Sequence, residues 1–180
     1  MSSLFDRSLL PEALFEFVVI ADTHYMLERG DEALEFESRR HQSARAATAL
    51  RQVADLDPDF VVHMGDLVQE YPETPDFVRA VDAAVQQLQD CGVAVRRVAG
   101  NQDVGDKPDP TMPARPVTPT SLESYHQRFG PSWYSFDHRE LHCVVLNSQI
   151  MNAEMPQAEA QRAWLEGDLA AHAGPRLCVL

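Results

Sequence analysis

Cationic side chains are scarce in this chain. Fifteen Lys and Arg face 28 Asp and Glu, a formal net charge of −13 over 180 residues. A surface that acidic repels polyanions, which argues against general binding to nucleic acid or anionic membranes. A phosphorylated substrate would be repelled too, unless bound cations reverse the sign locally. Cysteine is sparse: Cys91, Cys143 and Cys178 show no CxxC spacing. They imply no disulfide framework, read as small buried residues, and fit a reducing compartment. No apolar run approaches membrane-spanning length. The opening MSSLFDRSLLPEALFE lacks the basic start and apolar centre of a signal peptide. The expectation is a cytoplasmic chain of one domain, 1–180.

What is present is a set of β-branched runs, each ending in a polar motif. FVVIA (17–21) runs into Asp22-Thr23-His24, FVVHM (60–64) into Gly65-Asp66, and VAVRRVA (93–99) into Gly100-Asn101-Gln102-Asp103. Such a run delivers its terminal residue to a sheet edge. Phe17–Ala21 reads as a strand buried on both faces. Ala46, Leu50, Val53 and Ala54 give residues 42–56 a helical period, stopped by Asp57-Pro58-Asp59. Thr74-Pro75 reads as an N-cap with proline in the first helical position, and Gly92 as the stop of that second helix. Strand, helix, strand, helix, strand implies a parallel sheet.

Residues 104–120 form a proline-rich loop that leaves directly from the third motif, and a loop of this length in a compact domain is usually functional or disordered. Thr120 and Glu123 are placed for a capping box. A hairpin around His138-Arg139-Glu140 follows. A helix over 157–172 comes next, with Trp164, Leu165 and Leu169 on its buried side, then a strand from Arg176.

Asp22 and His24, one residue apart on an extended segment, would point to the same side. Asp66 adds a carboxylate able to bridge two cations, and Asn101 adds a neutral carbonyl oxygen. Such ligands without thiolate suit Mn, Fe or Zn. The alternatives are ordinary: Asp22 and Asp66 as helix caps, and Asn101 as a turn residue. His41, His63, His126, His138, His142 and His172 show no metal-ligand spacing to one another. Lys107 and Arg115, on the proline-rich loop, are candidates to meet a phosphorylated substrate. Trp133 and Tyr134 either line a pocket or pack in the hairpin.

DTH (22–24), GDLVQ (65–69) and GNQD (100–103) together resemble the signature of the calcineurin-like metallophosphoesterase superfamily over residues 16–180. The resemblance implies a four-layer α/β/β/α sandwich with two mixed sheets, and two metal ions (Mn, Fe or Zn) above the strand ends. It implies phosphoester hydrolysis, with a water or hydroxide clamped between cations ~3.5–4 Å apart attacking phosphorus in line. Asp22 and His24 would bind the first metal, Asp66 would bridge, and Asn101 would bind the second and touch the phosphate. Asp103 would support them.

Gln102 stands where the family usually has histidine. It can donate a hydrogen bond but cannot transfer a proton near neutral pH. Gln69 also departs from the usual Asp or Asn. The family's remaining ligands, histidines in an H-x-P-like and a G-H-x-H motif, do not occur before Leu180. The expectation is therefore a domain truncated at its C-terminus, with the first metal site better furnished than the second. A non-catalytic module of the same fold is the second reading. An unrelated α/β binding domain is the third.

Overall fold

The computed structural model describes residues 11–30, 32–112, 115–174 and 176–180. Residues 1–10, with most of the N-terminal segment read above, and Pro113 and Pro175 lie outside the described residues.

Two three-stranded sheets form the frame. The first has the order β1-β2-β3, from β1 (Phe17–Ile20), β2 (Phe60–His63) and β3 (Val95–Arg97), all parallel. The second has the order β4-β5-β6, from β4 (Tyr134–His138), β5 (Leu141–Val145) and β6 (Arg176–Val179). β4 and β5 are antiparallel and β5 and β6 parallel, so the second sheet is mixed and the first, among the described residues, is not.

Alternation along β2 explains how the layers stack. Phe60 and Val62 turn toward the second sheet and pack with Val98 and Val145, with Phe17, Tyr134 and Phe136 at the margin. The first sheet's opposite face meets α1 (Gln42–Leu56) and α2 (Phe77–Gln89), where Leu50, Ala80, Val81, Ala84 and Leu88 form one buried cluster. A third cluster joins Ala99, Val104, Leu122, Tyr125 and Ile150, seating the short α3 (Asn101–Val104) against α4 (Pro119–Phe129). α5 (Pro156–Ala171) lies on the second sheet, tied by a hydrogen bond from Ser135 Oγ to Asp168 Oδ1 at 2.7 Å. The result is the expected α/β sandwich.

Several local expectations change. β1 is half-exposed rather than buried on both faces, with Val19 at 51% exposure, because it pairs only with β2 among the described residues. Thr74 does not cap α2. Its hydroxyl turns back to Tyr71 O at 2.8 Å, and the helix begins at Phe77 after Asp76. The cap of α4 is Thr118 with Ser121, two residues before the expected Thr120 pair, and Pro119 takes the first helical position. In α5 the fully buried side chain is Gln161. Trp164 and Leu165 are half-buried and Leu169 is exposed, because the face toward the second sheet is largely polar. A 3₁₀ turn, Glu37–His41, leads directly into α1.

Candidate metal centre

The polar motifs meet beyond the ends of β1, β2 and β3. The parallel ladder continues past the strands: Asp22 N–H donates to Gly65 O (3.1 Å) and His24 N–H to Asp66 O (3.0 Å). Asp22 and His24 are not extended, as their spacing had implied, and Asp66 shares their left-handed backbone. Their φ angles are 55°, 42° and 55°. Each such left-handed residue costs ~1–2 kcal/mol, held here by the surrounding hydrogen bonds. The backbone kinks are what turn the side chains together.

Glycines allow the second and third motifs to touch. A Cβ on Gly65 (φ +93°) would lie 2.4 Å from Gly100 N, and one on Gly100 would lie 2.3 Å from Asp66 Oδ1. Asp66 Oδ1 accepts the Gln102 N–H at 3.0 Å, which leaves Oδ2 to face the site. Asp103 is buried and accepts from three backbone N–H groups: Gly100 (2.8 Å), Asp66 (2.9 Å) and Leu67 (3.2 Å). Burial nevertheless pushes its carboxyl up to about 6 against those donors.

His24 Nε2 stands 3.5 Å from Asp22 Oδ1 and 4.0 Å from Asp66 Oδ2. Both distances are long for a hydrogen bond. Ligands held at ~2.1 Å by a transition ion stand roughly 3–4 Å from one another, so the spacing fits a shared cation. One potential ligand atom from each residue lies within 4.8 Å of the other two. His24 Nδ1 is buried and has no hydrogen-bond partner among the described residues, so no internal network holds the ring. Desolvation raises the Asp66 pKa, and Asp22 and Asp106 push it the same way against the Gln102 N–H and His24. A half-buried carboxylate among like charges is the setting a cation relieves. The donor set, two hard oxygens and one imidazole, suits a divalent transition ion.

Asn101 lines the same open cavity as Asp22 and Asp66, about 350 Å³, with Leu146, Ser148, Gln149, Met151 and Leu180 on the opposite wall. The second sheet and the loop after β5 thus supply half of the cleft, which the linear motifs did not reveal. The other expected residues sit elsewhere. Gln102 is buried, and in the orientation that satisfies its amide it donates to the carbonyls of Val68 and Gln69, both at 2.9 Å. Arg115 is 81% exposed, faces Glu73 at 4.0 Å and lines a different cavity. Lys107 is exposed, and only its backbone reaches the cleft wall, donating to Gln149 Oε1 at 3.1 Å. Trp133 packs edge-on against His126, and Tyr134 donates to Arg97 O at 2.9 Å.

His63 lies behind the site, its Nε2 2.9 Å from Thr23 Oγ1, and burial lowers its pKa to about 4. A second convergence was missed altogether: Asp137, His142 and His172. Its signal was hidden, because Asp137 faces His142 only through hairpin register.

The calcineurin-like phosphoesterase family model matches residues 15–176. The chain belongs to the calcineurin-like phosphoesterase family. It is 30% identical over 152 residues to the serine/threonine-protein phosphatase CPPED1 of Danio rerio, covering 78% of this chain and 43% of that protein. Its fold is similar to that of a dimetal phosphatase from Danio rerio, with TM-score 0.57 and 18% identity, covering 87% of this chain and 52% of that one. It is also similar to purple acid phosphatase PPD1 from yellow lupin (Lupinus luteus), with TM-score 0.51 and 18% identity, covering 86% and 27%. The chain therefore spans about half or less of the length of these relatives. No helix among the described residues is long and apolar enough to cross a membrane.

Proposed function

We propose that this chain contributes Asp22, His24, Asp66 and Asn101 to the metal centre of a phosphoester hydrolase. The carrying observation is the set of 3.5 and 4.0 Å separations around His24 Nε2, on left-handed backbone at Asp22, His24 and Asp66. Divalent cations bound there would supply Lewis acidity toward a phosphoryl oxygen and lower the pKa of water. Asp66 offers Oδ2 while its other oxygen stays fixed by the Gln102 N–H. Asn101, which lines the same cavity, would orient a phosphate oxygen. The substrate is a phosphorylated molecule of unspecified class. The acidic charge argues against nucleic acid, and the free cysteines agree with a cytoplasmic setting.

Gln102 shapes the chemistry. With its amide engaged by Val68 and Gln69, it donates no proton to a leaving oxygen. Good leaving groups, aryl esters or phosphoanhydrides, should therefore turn over better than alkyl esters. The same observation favours a second reading, a metal-binding module of this fold without catalysis.

The test is hydrolysis of aryl and alkyl phosphates with added Mn²⁺, Fe²⁺ or Zn²⁺, alongside metal analysis. Metal-dependent turnover lost in Asp66→Ala supports the hydrolase. Metal binding without turnover supports the module. Absence of bound metal defeats both.

A further inference from the structure

Behind the hairpin, at the other end of β5 from the cleft, four side chains from three elements converge. Asp137 (β4) and His142 (β5) are paired in register, and α5 brings Asp168 and, at its C-terminus, His172. His142 is 2% exposed and keeps both ring nitrogens close to carboxylates: Nε2 to Asp168 Oδ2 at 2.7 Å, Nδ1 to Asp137 Oδ1 at 2.6 Å. The His172 ring stacks on it, with centroids 3.9 Å apart and planes 14° from parallel.

Asp168 orients both rings. Its carboxylate accepts from His142 Nε2, and its backbone carbonyl lies 2.8 Å from His172 Nδ1, which donates to it. Ser135 Oγ donates to the remaining Asp168 oxygen at 2.7 Å. With those protons assigned, His172 Nε2 keeps a lone pair, while His142 Nδ1 donates to Asp137 Oδ1 and would exchange that proton for the cation. A carboxylate or carbonyl holding one imidazole nitrogen while the other nitrogen binds metal is the usual support of a histidine ligand. One potential ligand atom from each of Asp137, His142 and His172 lies within 4.8 Å of the other two.

We propose that Asp137, His142 and His172 form a second site, separate from the cleft, for a divalent transition cation of the zinc, nickel or copper class. Two imidazoles and one carboxylate favour those ions over magnesium or calcium. The end of α5 adds a partial negative charge where the cation would sit. Nearly parallel rings must open slightly for both lone pairs to reach one ion. His172, with its side chain 36% exposed at the helix cap, is the ring with room to tilt. Asp137, with its side chain 65% exposed, leaves a face for water ligands.

The experiment measures Zn²⁺ bound per chain by isothermal titration, after chelator treatment and dialysis. It uses the full chain, Asp137→Asn, His172→Ala and Asp66→Ala. Circular dichroism checks folding, and the two surface substitutions spare the buried His142. We expect one class of binding to weaken at least tenfold in Asp137→Asn and in His172→Ala while persisting in Asp66→Ala. Co²⁺ substitution provides a second readout, because its visible absorption should change with loss of His172. Unchanged zinc binding in both surface variants would overturn the proposal. So would loss of all zinc in Asp66→Ala. His142 would then be an imidazolium clamped between two carboxylates. The first overturning result leaves the cleft reading untouched, and the second would assign all of the bound zinc to the cleft.

Discussion

The Asp103 carboxylate accepts the backbone N–H of Asp66 at 2.9 Å, so the third motif holds the second in place. The same carboxylate takes the N–H groups of Leu67 and Gly100. Asp66 owes its left-handed backbone to this grip as much as to the preceding Gly65.

Asp103→Ala should therefore damage both fold and site. It strands three N–H groups in a buried setting, and each costs ~1–3 kcal/mol if left unpaired. Water entering the cavity recovers part of that, so we expect about 3–5 kcal/mol of destabilisation in urea. Zinc binding at the cleft should weaken with it. A loss under about 1 kcal/mol would mean that the N–H groups find other partners.

Gly100→Ala tests contact, and Gly30→Ala tests strain alone. A Cβ at Gly100 meets Asp66 Oδ1 at 2.3 Å and Asp66 N at 2.5 Å. Gly30 has φ +56° and open space around it. We expect Gly30→Ala to cost ~1–2 kcal/mol and leave metal affinity intact. Gly100→Ala should cost more and lower metal affinity at least tenfold, read by isothermal titration. Equal effects would show that the close approach has slack.

The cleft was legible where a motif ends a strand and obscure where geometry comes from pairing. Asp22, His24, Asp66 and Asn101 could be read because β-branched runs carry them to one sheet edge. The kinks that aim them could not, because non-glycine residues rarely adopt positive φ without tertiary support. Helix α1 followed its apolar period to the residue, whereas α5 did not, because its sheet-facing side is built from Gln161 and Asp168. Asp137 and His172 are 35 positions apart by number and meet only because β4 pairs with β5 and α5 returns across them. No local spacing encodes that.

The pH response should bear the mark of His63. Its folded pKa is about 4, against about 6.5 for an ordinary histidine. Between those values the unfolded chain holds a proton that the buried ring refuses. Stability from this group is complete above about pH 6.5 and lost as pH falls toward 4. Asp103 acts oppositely: raised to about 6, it protonates first in the folded chain and adds stability as pH falls from there toward about 3.8. The two offset each other in the wild type. In His63→Gln only the Asp103 trend remains of the pair. Urea unfolding at pH 7 and 4.5 should show the variant gaining about 2–3 kcal/mol relative to the wild type. A constant difference would mean that His63 is not held neutral.

Gln161 links α5 to the cleft wall. Its Oε1 accepts the Asn147 N–H at 2.8 Å, and its Nε2 donates to Asn147 O at 3.2 Å, both buried. Asn147 Oδ1 in turn accepts the N–H of Gln149, and Ser148, Gln149 and Met151 face Asp22 and Asn101 across the cavity. Gln161→Leu is near in volume but leaves a buried N–H and C=O without partners, at about 2–4 kcal/mol. Gln161→Glu keeps the acceptor and loses the donor, so at neutral pH it places a carboxylate against Asn147 O and should be at least as harmful. Lowering the pH protonates that carboxyl, restores a donor and should recover part of the loss in Glu but none in Leu. Hydrogen exchange over residues 147–151 should accelerate in both variants at pH 7, with the pH-dependent recovery confined to Glu. Protection that stays at the wild-type level would show that the cleft wall is held by other contacts.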